Sequence, residues 1–272
     1  MAALNPALRT SDVRALLARL DVQPNRLLGQ NFLIDANILR ILLEAADLSP
    51  ADGVLEIGPG LGALTAPLLE RAGRVVAIEK DAALFAHLQA TFGHHPHLTL
   101  IHADALDCDL AGLVANGLNK VVANLPYAIG TRALVELCGA PVKPTRFAVT
   151  VQREVAERLK ARPGSRDYGA LSVLVQLHYA VELRKRVAPS CFYPAPSVES
   201  AIVVLLRLEG GPQPTDEQRF RSLVKECFEH RRKQMGTLVR RPEALARAGI
   251  EAKRRPETLS VEEWVRLADL LE

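Results

Sequence analysis

GVLEIGPGLG, residues 53–62, decides how the rest of the chain is read. A short apolar run breaks into glycines at every second position, then into a helical pattern, ALTAPLLERAG. Glycine tolerates positive φ and lets the backbone come close to a ligand. A strand, a glycine turn and a helix in that order are the opening of a nucleoside-binding α/β fold.

Working outward, RVVAIE (74–79), LTLIHA (98–103), KVVAN (120–124) and RFAVTVQ (146–152) repeat the short β-branched pattern. Helical stretches such as DAALFAHLQATFG lie between them. Strands alternating with helices imply βαβ units and a parallel sheet covered on both faces. AVELRKRV (180–187) and SAIVVLLRL (200–208) add two strands joined by a proline-rich loop without a helix. That pair is expected to run antiparallel, giving a Rossmann-like α/β fold with a mixed seven-stranded sheet. After GGPQPT (210–215) only helical patterns remain: DEQRFRSLVKECFEHRR, PEALARAG and SVEEWVRLADLLE. Ser260 followed by Glu263 is a capping-box signal for the last. The expected division is a domain over 1–211, with an N-terminal helical segment over 1–50, and a small all-helical domain over 212–272.

With 272 residues, 49% hydrophobic and 24% charged, the chain has the profile of a globular protein. No apolar run approaches the roughly 20 residues that span a bilayer. Arg9, Asp12 and Arg14 interrupt what a signal peptide would keep apolar, and Asp12 speaks against a mitochondrial presequence. The stretch after Ser11 reads as an amphipathic helix. Cys108, Cys138, Cys191 and Cys227 are widely separated, which fits a reducing cytoplasm and neither a zinc site nor a disulfide framework. His94, His95 and His97 flank Pro96 in a polar link and read as a solvated loop, so no metal is expected. No heptad pattern is present, and a monomer is expected.

Charge is segregated along the chain. Asp47 to Gly117 holds nine Asp or Glu against three Lys or Arg. Lys143 to Arg186 holds ten basic residues against four acidic, and Arg219 to Arg255 twelve against four. Such a division suits a small cationic or polar ligand in one region and a polyanion in another.

The glycine loop fits two templates. Gly58, Gly60 and Ala63 match the dinucleotide pattern G-x-G-x-x-G/A, whereas Gly58, Gly60 and Gly62 match the G-x-G-x-G of S-adenosylmethionine enzymes. Glu79, ending the second strand, suits a ribose in either case. Asp104 falls just past the third strand, where it could accept a bond from a cofactor's adenine amine. The fourth strand ends in Asn124-Leu125-Pro126-Tyr127 at the same sheet edge. Adenine's exocyclic amine is a poor nucleophile because its lone pair is delocalised into the ring. The Asn124 side-chain oxygen, beside a backbone carbonyl, can accept its hydrogens and favour a localised pair. Pro126 stiffens the loop, and Tyr127 offers a ring for an extruded base to stack on.

These residues together resemble the ribosomal RNA adenine dimethyltransferase family, in particular its small-subunit branch. LLGQNFLID (27–35) resembles the family's N-terminal motif, LEIGPGLGALT (55–65) its cofactor loop, and NLPY its catalytic motif. CFYPAPSVES (191–200) resembles the F-x-P-x-P-x-V-x-S signature, and FEHRRKQMGTL (228–238) the basic helix of the C-terminal domain. The resemblance implies S-adenosylmethionine as cofactor, held by Gln30, Asn31, Leu33, Gly58, Gly60, Glu79, Lys80, Asp104, Ala105 and Asn124. It implies catalytic positions at Asn124, Leu125, Pro126 and Tyr127, with Phe192 stacking on the target adenine. It also implies dimethylation of two adjacent adenosines in a hairpin near the 3′ end of 16S rRNA, within the immature 30S subunit. Arg153, Arg158, Lys160, Arg231, Arg232 and Lys233 would then hold RNA phosphates. One departure stands out: many relatives continue NLPY with Asn, where Ala128 stands here. A large-subunit rRNA methylase of the same family would read Asn-Ile-Pro, and a DNA adenine methylase Asp- or Asn-Pro-Pro-Tyr. A dehydrogenase is allowed by the glycine loop alone. A ribosome-assembly checkpoint could coexist with catalysis.

Overall fold

In a computed structural model, residues 10–24 and 29–271 are described. The first nine residues, and Leu27 and Leu28 at the start of the N-terminal motif, lie outside the described residues. In chain order the elements are α1 (Thr10–Arg19), β1 (Phe32–Leu33), α2 (Ala36–Ala46), β2 (Gly53–Ile57), α3 (Thr65–Leu69), β3 (Arg74–Glu79) and α4 (Ala82–Phe92). Then come β4 (Leu98–His102), α5 (Leu110–Ala115), β5 (Lys120–Asn124), α6 (Gly130–Cys138), β6 (Arg146–Gln152) and α7 (Arg153–Leu159). They are followed by α8 (Ala170–Gln176), β7 (Tyr179–Val187), β8 (Phe192–Tyr193) and β9 (Ser200–Arg207). The chain ends in α9 (Glu217–Glu229), α10 (Met235–Val239), α11 (Pro242–Arg247) and α12 (Val261–Asp269).

Seven strands form one mixed sheet, as the strand pattern predicts, and their order is β4-β3-β2-β5-β6-β9-β7. β2 through β6 run parallel, and β9 enters antiparallel to β6, with Gln152 opposite Ser200 and Arg146 opposite Leu206. The chain fills the sheet outward through β2, β3 and β4, then crosses over to β5 on the other side of β2. That reversal opens a crevice beyond the carboxyl ends of β2 and β5.

The central strands are mostly apolar because both faces are covered. All five residues of β2 are buried, as are Lys120 to Ala123 of β5. Asp35 starts α2 by accepting from the Ile38 amide at 2.9 Å. The helix then lays Ile38, Leu39, Leu42 and Leu43 into a core with Val54, Val75, Val122 and Ile202. Asp81 likewise caps α4 through the Ala83 and Leu84 amides, and Leu84, Leu88 and Phe92 follow on one buried stripe. At the amino ends of the strands, Lys120 is buried against Asp52 at 3.0 Å. Burial would raise the Asp52 carboxyl, but hydrogen bonds from Asn119, Lys120 and Ser49 outweigh it and hold the pKa at about 2.

The chain divides into two compact units: residues up to Ala156 with Glu182–Arg207, and Glu157–Val181 with Leu208–Glu272. This differs from the expected boundary at 212, because residues 157–181 join the C-terminal helices. The cause is aromatic packing that no local pattern announces. Tyr168 is buried, donates its hydroxyl to the Leu259 carbonyl at 2.9 Å and meets Phe228 edge-on, while Phe228 lies against Trp264. The expected capping box is present: Ser260 Oγ accepts from the Glu263 amide, and Glu263 accepts from the Ser260 amide at 2.8 Å. No helix among the described residues is long and apolar enough to cross a membrane.

Candidate active site

The reversal in strand order brings four separate strand tips to one cavity. The ten residues expected around the cofactor all line it: Gln30, Asn31, Leu33, Gly58, Gly60, Glu79, Lys80, Asp104, Ala105 and Asn124. Pro126 lines it too, whereas Leu125 is buried behind the loop, its amide donating to the Thr150 carbonyl at 3.2 Å. Val13 of α1 also reaches the wall. That contact spans elements far apart in sequence and carries no motif.

The loop geometry explains why Gly58 is glycine. Its φ is +70°, and a Cβ there would stand 2.7 Å from Pro126 Cγ. Gly60 donates its amide to Glu79 Oε2 at 3.0 Å, and the Asp81 amide reaches Glu79 Oε1 at 2.9 Å, so two backbone bonds fix the carboxylate at the tip of β3. Lys80 and Asp104 form an ion pair at 2.7 Å across the tips of β3 and β4.

Asn124 is the centre of the arrangement. Its Nδ2 donates to the Asn31 carbonyl at 2.9 Å, which fixes the direction of the amide. Its Oδ1 is buried and has no hydrogen-bond partner. A buried acceptor left empty costs on the order of 1–3 kcal/mol, so it signals a group to be received. The N-terminal segment that supplies the Asn31 carbonyl is itself locked in place: Gly29 has φ +68°, and a Cβ there would come 2.8 Å from the Tyr127 amide nitrogen.

The cavity is acidic. Glu56 lies on its wall, almost fully buried, and accepts from Thr65 Oγ1 at 2.8 Å. Burial, opposed by that bond and reinforced by the charge of Glu79, pushes its pKa up to about 8. Burial also raises Glu79. Glu56 received no role from sequence, because a strand buried on both faces gives no alternation to say which side chain meets a cavity. A wall carrying two carboxyls suits a cationic nucleoside better than a pyrophosphate. No group of three or more His, Cys, Asp or Glu among the described residues is placed to hold a metal ion.

A second cavity adjoins the first and shares Gly29, Gln30, Asn31 and Ala128 with it. Tyr127, Gln152 and residues 194–198 complete its wall. Tyr127 is half-buried, and its hydroxyl is hydrogen-bonded to that of the buried Ser200. Phe192 corrects an expectation. β8 pairs with β1, setting Phe192 opposite Leu33, and the ring packs in the core with Leu33 and Ile38, on neither cavity wall.

Among the expected phosphate contacts, Arg153 is exposed and paired with Glu199 at 2.6 Å. Lys160 is exposed beside Glu157, and Arg158 is half-buried on the same helix. Arg232 and Lys233 are exposed just beyond α9. Arg231 departs from the expectation: its guanidinium makes two 3.2 Å bonds to the Arg166 carbonyl and approaches Glu257, so it serves as an internal tie.

Comparison with known proteins agrees with this geometry. The family model described as ribosomal RNA adenine dimethylase matches residues 22–272. A protein of Opitutus terrae named ribosomal RNA small subunit methyltransferase A is 44% identical over 92% of this chain and 94% of its own length. Among solved structures, a dimethyladenosine transferase from Plasmodium falciparum superposes with a TM-score of 0.77, covering 87% of this chain and 95% of the other at 24% identity. The 23S rRNA methyltransferase ErmE gives a TM-score of 0.65 at 29% identity, covering 89% of this chain and 99% of its own. With a matching family model over nearly the whole chain and relatives above 40% identity, the protein belongs to the ribosomal RNA adenine dimethylase family.

Proposed function

We propose that the protein transfers methyl groups from S-adenosylmethionine to the N6 amines of two adjacent adenosines in a hairpin near the 3′ end of 16S rRNA. The observation that carries this reading is the unpartnered Oδ1 of Asn124 on the wall of the first cavity, with Asn31, to which it is bonded, shared by the second. The 44% identity to a relative named as a small-subunit methyltransferase supports the choice of RNA.

The first cavity fits the cofactor by its chemistry. Glu79 would take ribose hydroxyls, Asp104 an adenine amine, and the Glu56 and Glu79 carboxyls the ligand's positive charge. When bound, S-adenosylmethionine supplies an electrophilic methyl group on a cationic sulfur. Asn124 Oδ1 would accept one N6–H of the target base, with a loop carbonyl taking the other. That holds the nitrogen lone pair out of conjugation and aimed at the neighbouring cavity. Each transfer replaces one N6 hydrogen, which leaves as a proton. A monomethylated amine still offers one hydrogen to Asn124, so a second round needs no new acceptor. Tyr127 would stack on the base, and Arg232, Lys233, Lys160 and Arg158 would hold phosphates.

The test is incubation with methyl-labelled S-adenosylmethionine and immature small subunits, followed by mapping of the labelled base. Dimethyladenosine in the 3′ hairpin is expected. Label in large-subunit RNA, or on another atom, would overturn the reading.

A further inference from the structure

Gln152 closes β6 on the wall of the second cavity. Its side-chain amide makes no hydrogen bond with any described residue, unlike Gln176, which donates to the Leu159 and Ala161 carbonyls at 2.7 and 2.9 Å. Gln152 is the direct register partner of Ser200 across the antiparallel β6–β9 ladder. Residues directly opposite in such a ladder project from the same face with their Cβ atoms roughly 5 Å apart. Ser200 holds the Tyr127 hydroxyl. One cross-strand rung therefore delivers both the phenol end of Tyr127 and an uncommitted amide to the same cavity.

The other side-chain amides on the wall are engaged, Gln30 donating to Asp81 at 3.4 Å and Asn31 to the Gly29 carbonyl at 3.2 Å. The loop side offers Pro194, Ala195, Pro196 and Val198, whose side chains cannot read a base edge, and Ser197. Once the N6 amine of an adenine is taken by Asn124, the polar atoms beside it are ring nitrogens, and these only accept. An amide N–H is the complementary group.

We infer that Gln152 is a specificity-determining residue whose side-chain amide donates to a ring nitrogen of the adenine held in the second cavity. The inference rests on the proposed N6 methylation and names how the same site recognises its base. Two substrate analogues test it: immature small subunits reconstituted with 1-deaza- or 7-deazaadenosine at the target positions. Each keeps the reactive amine and loses one ring acceptor.

The parent enzyme is expected to lose about tenfold in kcat/KM on one analogue, the size of one lost hydrogen bond. Gln152→Leu is expected to lose a similar factor on natural RNA, to be indifferent to that same analogue, and to bind S-adenosylmethionine as the parent does. Gln152→Glu keeps the shape but offers no donor when ionised, and decides the matter if the Leu variant does not fold. Parent activity insensitive to both analogues would overturn the inference. So would a Gln152 variant with parent activity, or one whose loss simply adds to the analogue's loss, as a structural role predicts. A parent enzyme that labels no adenosine on natural RNA would instead overturn the proposed function, and this inference with it.

Discussion

Gly58 faces Pro126 so closely that a Cβ on the glycine would stand 2.7 Å from the proline Cγ, with φ already at +70°. The cofactor loop after β2 and the Asn-Leu-Pro-Tyr loop after β5 are thus fitted to each other. Gly58→Ala should cost roughly 1–2 kcal/mol for the left-handed backbone alone, and should also push the Pro126 loop outward. Expected are a melting temperature lower by about 2–4 °C or more and a kcat/KM reduced beyond tenfold. Thermal unfolding and initial rates check both, and an unchanged rate would show the loops to be independent.

Glu56 gives the site a pH dependence with a defined sign. Its folded pKa is raised to about 8, so without ligand its stabilising contribution is present below the usual carboxyl range and fades as pH rises through 8. A cationic ligand favours the ionised form. S-adenosylmethionine should therefore bind more tightly as pH rises from about 6.5 to 8.5, with proton uptake by buffer. Glu56→Gln should flatten that profile. Calorimetry in buffers of different ionisation enthalpy measures the released proton.

Tyr127 separates stacking from hydrogen bonding. Tyr127→Phe leaves the buried Ser200 hydroxyl without its partner and should cost about 1 kcal/mol of stability with a modest rate loss. Tyr127→Ala should lose about 1–3 kcal/mol of base binding, seen as a rise in KM for RNA.

The basic residues beyond α9 differ from one another. Arg232 and Lys233 are exposed, whereas Arg231 is tied to the Arg166 carbonyl. Replacing Arg232 or Lys233 by Ala should each lower the slope of log K against log salt by about one. Arg231→Ala should lower thermal stability more than it changes that slope. RNA-binding isotherms at several salt concentrations distinguish the two behaviours.

Much of this was legible because strand tips obey a register. Gly58, Glu79, Asp104 and Asn124 are each the last residue of an apolar run or lie just beyond it, and parallel pairing puts such positions at one edge. Asn31 and Gln30 were legible through family resemblance, since nothing local says that their segment returns to the Tyr127 amide. The burial of Phe192 off both cavity walls was not legible, because its direction depends on a two-residue pairing with β1, which leaves no pattern in sequence. Residues 157–181 were assigned to the wrong neighbours for a similar reason: Tyr168 meets Phe228 and Leu259 only after the chain has folded. Ala128 lines both cavities and, as an apolar methyl, supplies no polar contact there.

The most direct measurement is single-turnover methyl transfer by Asn124→Ala and Asn124→Asp on immature small subunits, with RNA affinity determined in parallel. Alanine removes the open acceptor, and aspartate sets an oxygen against the Asn31 carbonyl where an N–H now donates. Loss of one preorganised hydrogen-bonding group of this kind slows chemistry about 10²–10³-fold, and both variants should show such a loss while RNA binding stays at the parent level. Dimethylation at the parent rate by the alanine variant would contradict the account.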